Sequence, residues 1–466
     1  MMNTIIKKEK IIMFVIGICQ SFFILALFEL IQVRLSYRDI SVIAIVQCIV
    51  NIILLKMFCN LSVICLPNMF SVFSLFFHCG QIIKEGFNIQ GTVPLPFQYY
   101  TSESIIREAC FFYLLSQAAY FIGVASISGM DNSLISNKWK QRNEIASQQY
   151  GKFLILIGIV PRLYIDIRSF MGALSQGYKG VYSIYFPQMI QSMAFFFDAG
   201  IILYLLGCDN KKKARKLVIV VLLYKCLMMT SGARQEKVAY LLVFLYLYFF
   251  VCNKITIGKL IIIVCGGIAG FNFISAIGNV RVGANSGIQA VFELIQSGQM
   301  SDIVGSALGE FGSAFDTLEL AMAYTPDCIS YGYGASYLAG ALSIIPLVVK
   351  QIPVLDRATI FVQQLPRSVN FALGGSYLGE LYYNFSWFGI IGSILIGRFM
   401  KKLHCGIELS TRENTLYGAW CAIVSTAMIL FIRGYFTDMM QKLVWTYLVI
   451  CITYSYIKRR YAKCLT

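Results

Sequence analysis

The chain has 466 residues, of which 58% are hydrophobic and only 13% are charged. A soluble domain of this length needs more charged residues to cover its surface. Apolar runs of roughly 18 or more residues recur along the whole sequence, and such runs are typical of transmembrane helices. The composition therefore excludes a soluble globular protein and predicts an all-α, polytopic membrane protein.

The chain is predicted to cross the membrane about twelve times. The predicted spans, in chain order, are 11–33, 40–58, 61–83, 105–128, 151–170, 185–207, 217–232, 238–253, 259–278, 384–402, 416–433 and 441–457. Residues 1–278 would hold spans one to nine, and residues 384–466 would hold spans ten to twelve. Between them, residues 279–383 are predicted to form one large external loop with short helices.

The net charge of +16 is explained by topology and does not indicate a nucleic-acid partner. Basic residues gather at 7–10, 138–142, 211–216, 398–402 and 458–463. These positions fall on one side of the predicted spans, and cytoplasmic loops are enriched in Lys and Arg. We therefore expect both termini in the cytoplasm and membrane lipids around the chain.

No metal or cofactor is expected. The fifteen cysteines lie mostly in apolar runs, without a CxxC pair or a Cys/His cluster. The sequence also lacks a DxD motif, a P-loop and a G-x-S-x-G motif. Metal-dependent chemistry on nucleotide sugars therefore has no visible residues to perform it.

Two arginines lie where predicted spans reach the outer face. Arg234 follows a glycine in SGARQEK at 231–237, and Arg281 lies in GNVRVG at 278–283. A guanidinium beside glycine-rich backbone can hold a phosphate group. Each arginine could equally anchor to lipid headgroups, and this alternative stays open at both positions.

Two further arginines lie in the large loop, which is acidic overall. Residues 279–382 contain four basic and eight acidic residues, so the arginines are not part of a basic coat. Arg357 follows Asp356, and an ordinary surface ion pair is its expected role. Arg367 has no acidic neighbour in sequence and precedes a glycine-rich segment by seven residues.

That segment is GGSYLGELYYNFSWFG at 374–389. If it is helical, Tyr377, Glu380 and Asn384 share one face at i, i+3 and i+7. We expect this polar stripe to face a cavity. Glu380 is then either a base or the partner of an arginine such as Arg367, and the two roles are compatible.

Charged residues also occur inside predicted spans. Asp198 and Lys225 lie in apolar runs, and Arg162 and Asp166 are spaced i, i+4. Intramembrane charges normally face the bundle interior and each other, so we expect a mainly structural role. His78 and His404 are isolated in sequence, and neither is predicted to be catalytic.

In this combination the chain resembles the Wzy-type O-antigen polymerases. The resemblance rests on SGAR before a span, an external arginine after the ninth span, a large outer loop, and the segment at 374–389. GEFGSAFDTLELAMAYTPD at 309–327 and YGYGASYLAGALSIIP at 331–346 also look like the loop of that family. Ser386 stands where the family pattern leads us to expect glycine, and the spaced arginine–glycine repeat of some members does not occur.

The resemblance implies an enzyme of the bacterial plasma membrane that joins undecaprenyl-diphosphate-linked oligosaccharide repeat units into O-antigen or capsule. A chain-length regulator and a flippase would be further partners. Glu380 would then be the base, and Arg234, Arg281 and Arg367 would bind the diphosphate. The residues expected to contact substrate are Arg367, Arg357, Asn384, Tyr377 and Tyr383. Tyr382, like Tyr377 and Tyr383, would offer a face for sugar stacking.

Two alternatives are kept. A lipid-linked oligosaccharide flippase or transporter would predict near-symmetric halves, which the sequence does not show. An O-antigen ligase would use the same donor, but the histidine usual in its outer loop is missing from residues 279–383.

Replacement of Arg281 with alanine distinguishes a polymerase from a flippase and from a ligase. For a polymerase, cells with normal protein levels should lose the long-chain polysaccharide ladder while single repeat units stay attached. The measurement is electrophoresis of the surface polysaccharide. A normal ladder would rule out the proposed role of Arg281.

Overall fold

The protein is described here from a computed structural model. The described residues are 2–31, 35–91, 101–127, 137–182, 184–208, 210–229, 234–251, 258, 300–345, 348–366, 369, 373–410, 415–438, 440, 443–444, 446–448, 450–452 and 455. Within these residues the secondary structure is helical and contains no strand, as the sequence predicts.

Among the described residues, eight helices precede residue 252. They are α1 (Met2–Ile31), α2 (Tyr37–Cys59), α3 (Leu66–Gly86), α4 (Glu103–Ala125), α5 (Asn137–Tyr182), α6 (Gln188–Leu206), α7 (Lys211–Met229) and α8 (Arg234–Val251). The described chain resumes with α9 (Met300–Gly312), α10 (Ala314–Tyr324), α11 (Ala335–Leu342), α12 (Pro353–Thr359), α13 (Tyr377–Phe385), α14 (Gly389–Ser410) and α15 (Thr415–Phe431). Short 3₁₀ turns occupy Val349–Gln351, Phe361–Gln364 and Ser386–Phe388.

Five described helices are long and apolar enough to cross a membrane. They are Glu9–Glu29, Tyr37–Cys59, Leu66–Gly86, Glu103–Ala125 and Met189–Leu206. This finding agrees with a multi-pass membrane protein, but it does not confirm twelve spans. The predicted span 259–278 lies outside the described residues, and α7 and α8 each begin with charged residues.

The predicted tenth span, 384–402, is not one continuous helix. Helix α13 ends at Phe385, and α14 begins only at Gly389. Ser386 lies between them with a φ of 52°, in the left-handed region that L-residues rarely adopt. The helix therefore breaks at the position where the family pattern leads us to expect a glycine.

The first of two compact units contains Met1–Asp131, Gly305–His404 and Met428–Gln441. In this unit α2 packs on α3 and α1 packs on α4, and α10 lies against α3, α4 and α13. Short helices from the predicted loop region are thus part of the packed core around α13. The second unit contains Asn132–Val304, Cys405–Ala427 and Lys442–Thr466, and in it α5 packs on α6 and α7 packs on α8.

Helices α4 and α14 approach each other closely at two glycines. A Cβ added to Gly123 would collide with the carbonyl oxygen of Ile394, and one added to Gly397 would collide with that of Tyr120. Small residues allow such contact between helix backbones in membranes.

We predict that Gly123→Ala or Gly397→Ala destabilises the protein, because the helices must separate to make room for the methyl group. Overpacking of this kind costs roughly 1–3 kcal/mol. The measurement is the thermal unfolding temperature of the purified protein in detergent. Gly258→Ala is the control, since an added Cβ there meets nothing within 4 Å among the described residues. An unchanged unfolding temperature for both variants would contradict the close contact.

Candidate functional site

The carboxylate of Glu380 lies in the core of the first unit, with no exposed surface. Its Oε1 atom accepts a hydrogen bond from the Ser336 hydroxyl at 2.5 Å. Its Oε2 atom accepts one from the backbone N–H of Phe436 at 2.9 Å. One side chain of α13 thus joins α11 and the turn that follows α15.

Asn384 completes this arrangement one turn further along α13. Its amide donates to the Ser336 hydroxyl at 2.8 Å and to the Glu380 carbonyl at 2.7 Å, and its Oδ1 atom accepts from Gly334 N at 2.9 Å. Because Ser336 accepts a hydrogen bond from the Asn384 amide, its own hydroxyl proton points to Glu380. Glu380 and Asn384 thus lie on a face of α13 that packs against α11 and the segment after α15, where the sequence predicts a cavity. Tyr377, the third member of the predicted stripe, contacts α3 and α4 instead.

Burial gives Glu380 an unusual pKa. Loss of solvent raises the pKa of its carboxyl group from 4.5 to about 7, against the opposing effect of the hydrogen bonds from Ser336 and Phe436. A carboxyl group with a pKa near neutrality can take up and release a proton at physiological pH. Such perturbed groups are concentrated at functional sites.

His78, which looked isolated in sequence, contacts the first turn of α13. Its Nδ1 atom lies 3.1 Å from the carbonyl oxygen of Ser74, and its Nε2 atom lies 2.9 Å from the Ser376 hydroxyl. A carbonyl oxygen only accepts, so Nδ1 carries the proton and Nε2 accepts from Ser376. Ser376 in turn caps α13 by accepting from Gly379 N at 3.1 Å. Almost 300 residues separate His78 from Ser376, so no local motif could reveal this contact.

The tyrosines predicted to stack on sugars already have protein partners. The Tyr377 hydroxyl lies 2.9 Å from the Ser74 hydroxyl and accepts from the Gln117 amide at 3.2 Å. The Tyr383 ring stacks on Phe361 with centroids 4.7 Å apart. Both tyrosines are buried. Their observed contacts thus hold α13 in place.

Two further buried carboxyl groups lie on α10, in a segment that looks like the loop of the polymerase family. The Asp316 carboxylate accepts from the Gln81 amide at 3.4 Å, and burial raises its pKa to about 8. Burial also raises the pKa of Glu319 well above its usual range, and the charge of nearby Asp316 adds to this. Sequence reasoning counted these acids as loop charge and did not anticipate their burial.

The structure locates only some of the predicted arginines. Arg281 and Arg367 lie outside the described residues, and Arg234 is the first residue of α8. Arg357 is exposed at the end of α12, and it forms no ion pair with Asp356 within the described part of the chain. The predicted surface pair is therefore absent.

Arg433, which sequence reasoning missed, lies beside the opening glycines of the motif. It is partly exposed, and its guanidinium donates to the Ser313 hydroxyl at 2.9 Å. A Cβ added to Gly374 would stand 3.4 Å from its Nε atom. Phe436, whose N–H binds Glu380, lies three residues further along the chain, at the start of a helical segment.

Charged side chains inside the second unit contact each other, as predicted. Arg162 binds Asp166 at 3.0 Å and lies 3.5 Å from Asp198, which pairs with Lys225 at 2.6 Å. These four residues have at most 4% of their surface exposed.

A comparison with known protein families shows which family the chain belongs to. A family model for the O-antigen polysaccharide polymerase Wzy matches residues 10–463, nearly the whole chain. The chain belongs to this family. It is therefore a multi-pass membrane polymerase that joins lipid-linked oligosaccharide repeat units into polysaccharide. No curated protein and no solved structure matches this polymerase.

The polymerase shows no metal-binding constellation in the part of the chain that the structure describes. In those residues, no group of three or more His, Cys, Asp or Glu side chains could hold a metal ion.

We predict that Glu380 makes stability depend on pH. Folding raises its pKa from 4.5 to about 7, so between these values the folded protein retains a proton that the unfolded chain has released. Stability should therefore fall as the pH rises through this window, by an amount on the order of 3 kcal/mol. In Glu380→Gln this contribution should be missing, because the amide can accept from Phe436 N and donate to Ser336 without titrating.

The measurement is the unfolding temperature of both proteins from pH 4.5 to 8. The contributions of Asp316 and Glu319 are common to both proteins, so the difference between the two curves reports Glu380. Parallel curves would show that Glu380 has an ordinary pKa.

Proposed function

We propose that the polymerase acts at the outer face of the bacterial plasma membrane on undecaprenyl-diphosphate-linked repeat units. A hydroxyl group of the incoming unit attacks the anomeric carbon at the reducing end of the growing chain. The bond from that carbon to the diphosphate breaks, and the lipid diphosphate leaves with the electron pair. The hydroxyl proton passes to a base of the enzyme.

The base in this proposal is Glu380, and the observation that carries the assignment is its buried contact with Ser336. A hydroxyl group can accept one proton while it donates another. Ser336 could therefore pass the proton of the acceptor hydroxyl to Glu380 Oε1, over the 2.5 Å hydrogen bond between them. Asn384 fills one of the two lone pairs of the Ser336 oxygen and so fixes the Ser336 proton toward Glu380. The second lone pair is the one that would accept from the acceptor hydroxyl.

Arginines neutralise the leaving diphosphate in this proposal, without a metal ion. Their planar guanidinium groups bind phosphate oxygens in pairs, and a preformed positive site stabilises the charge that develops in the transition state. Arg234, Arg281 and Arg367 keep this proposed role, and Arg357 stays a proposed contact of the substrate. We add Arg433, because it lies three residues before Phe436, whose N–H binds Glu380.

Tyr377 and Tyr383 have a supporting role in this account. The hydroxyl of Tyr377 and the ring of Tyr383 hold α13 against its neighbours, so that the Glu380 carboxylate stays in one position. Preorganisation of this kind is required of a catalytic group.

We retain the predicted topology of twelve spans, with both termini in the cytoplasm and a large outer loop at 279–383. The distribution of basic residues supports it. A flippase that delivers the repeat units and a chain-length regulator are the proposed protein partners.

We predict that Glu380→Gln blocks polymer growth without unfolding the protein. Loss of a general base typically lowers the rate by about 10²–10⁴-fold. The purified protein should bind lipid-linked repeat units as the wild type does but extend them far more slowly, as measured by gel analysis of products over time.

The control is Glu103→Gln, which removes an exposed carboxylate of α4 that pairs with Arg107 at 2.7 Å. This variant should polymerise at the normal rate. A wild-type rate in Glu380→Gln would exclude Glu380 as the base.

A further inference from the structure

The polymerisation proposed above brings two lipid diphosphates to one enzyme, because the donor and the acceptor each carry one. Only one of them leaves, while the other stays attached to the lengthened chain. A second place that holds a diphosphate without reacting with it is therefore required. The second unit contains a cluster of charged residues with the chemistry for such a place.

This cluster consists of three cations and three carboxylates from four helices. Its members are Arg162, Asp166, Asp198, Lys225, Glu236 and Lys237. With all six ionised the formal charges cancel, which is required of charges buried in a membrane protein. Tyr224 also donates to Asp166, at 2.5 Å.

The inner end of the cluster is fixed. Asp198 and Lys225 have no exposed surface and pair at 2.6 Å, and the Lys225 amino group lies 4.7 Å from the centre of the Tyr240 ring. Removing one partner of such a pair would leave an uncompensated buried charge. We therefore assign this end a structural role, as the sequence predicts.

The outer end differs, because one of its members reaches solvent. Glu236 has 43% of its side chain exposed, whereas Arg162 and Lys237 are almost fully buried. Glu236 Oε1 lies 3.1 Å from Arg162 Nη1. The exposed carboxylate regains water when it leaves, so the cost of its departure falls on the buried Arg162, which an incoming anion compensates. Glu236 is thus the member of the cluster that an external anion can replace.

Replacement would present Arg162 to a phosphate group. Arg162 Nε keeps its bond to Asp166 at 3.0 Å, and Nη1 stays 3.5 Å from Asp198, so the guanidinium stays oriented. The N–H of Nη1 that faced Glu236 becomes available. Lys237 is the next residue on α8, and its amino group lies 3.7 Å from Asp166. The departure of Glu236 leaves the cluster with an excess positive charge, which a phosphate oxygen can balance.

We propose that Arg162 and Lys237 form a second anion site, which Glu236 occupies in the free enzyme and a lipid diphosphate occupies in the working enzyme. Its assignment to the acceptor lipid rests on the proposed function. Binding of the anion itself does not, and it is measured separately. In this arrangement Glu236 keeps the buried arginine compensated whenever no substrate is bound.

The test is calorimetric titration of the full-length protein in detergent micelles with inorganic pyrophosphate, at constant ionic strength. Glu236→Gln should bind pyrophosphate roughly three- to tenfold more tightly than the wild type, because the competing carboxylate is gone. The double variant Arg162→Gln/Asp166→Asn should lose this binding. It removes one charge of each sign, so the buried cluster stays neutral and the protein can fold.

The matched control is Glu103→Gln, which frees Arg107 on α4 from its exposed partner. Its affinity for pyrophosphate should equal that of the wild type, which would show that removing the carboxylate partner of an arginine is not enough to create an anion site. Equal affinities of the wild type and Glu236→Gln would overturn the proposal, and so would binding that persists in the double variant.

A second titration identifies the source of the anion. In micelles that contain phosphatidylglycerol, pyrophosphate should still bind Glu236→Gln, since a single headgroup phosphate competes weakly with a diphosphate. Complete competition would show a headgroup site and overturn the diphosphate assignment. If the variants of this cluster do not change pyrophosphate binding while Glu380→Gln still fails to extend chains, the second site is wrong and the proposed function stands.

Discussion

The packing around α13 in the first unit depends on the hydrogen bonds of the buried Glu380 carboxylate. A fully buried carboxylate is stable only if each oxygen has a donor. Here the donors come from two other segments of the chain, the Ser336 hydroxyl on α11 and the Phe436 N–H after α15. Three distant stretches of sequence are therefore held at one point, and the group that holds them is the one that we propose as the base.

A second layer of polar contacts fixes the helix that carries this carboxylate. His78 orients Ser376 at the first turn of α13, and Asn384 orients Ser336 from the second turn. Each contact uses a group whose donor or acceptor role is set by its other partner, so the hydrogen bonds have one consistent direction. Buried networks of this kind, when fully satisfied, favour a single arrangement of their members. Burial raises the pKa of Glu380 to about 7, against the opposing effect of its hydrogen bonds from Ser336 and Phe436.

Sequence patterns predicted the features that depend on local spacing. The shared face of Glu380 and Asn384 follows from helical periodicity, and the pairing of Arg162 with Asp166 follows from i, i+4 spacing. Contacts across hundreds of residues left no such signal. His78 is isolated in sequence, and Ser336 lies in the family-like segment 331–346 with no spacing that ties it to Glu380. Only the packing of α3 and α11 against α13 brings them to the motif. The helix break at Ser386 was missed for a different reason, since apolar composition gives the length of a run but not its backbone angles. The number of spans stays a prediction.

The proposed function depends on the transfer of a proton from the acceptor hydroxyl through Ser336 to Glu380. It is tested most directly by the pH dependence of kcat/KM for polymerisation by the wild type and by Ser336→Ala. The hydrogen bond from Ser336 lowers the pKa of Glu380, so its removal must raise that pKa. In the wild type we expect kcat/KM to rise with pH, with a midpoint near pH 7. In Ser336→Ala we expect a lower kcat/KM whose midpoint lies at higher pH. Identical midpoints in the two proteins would contradict it.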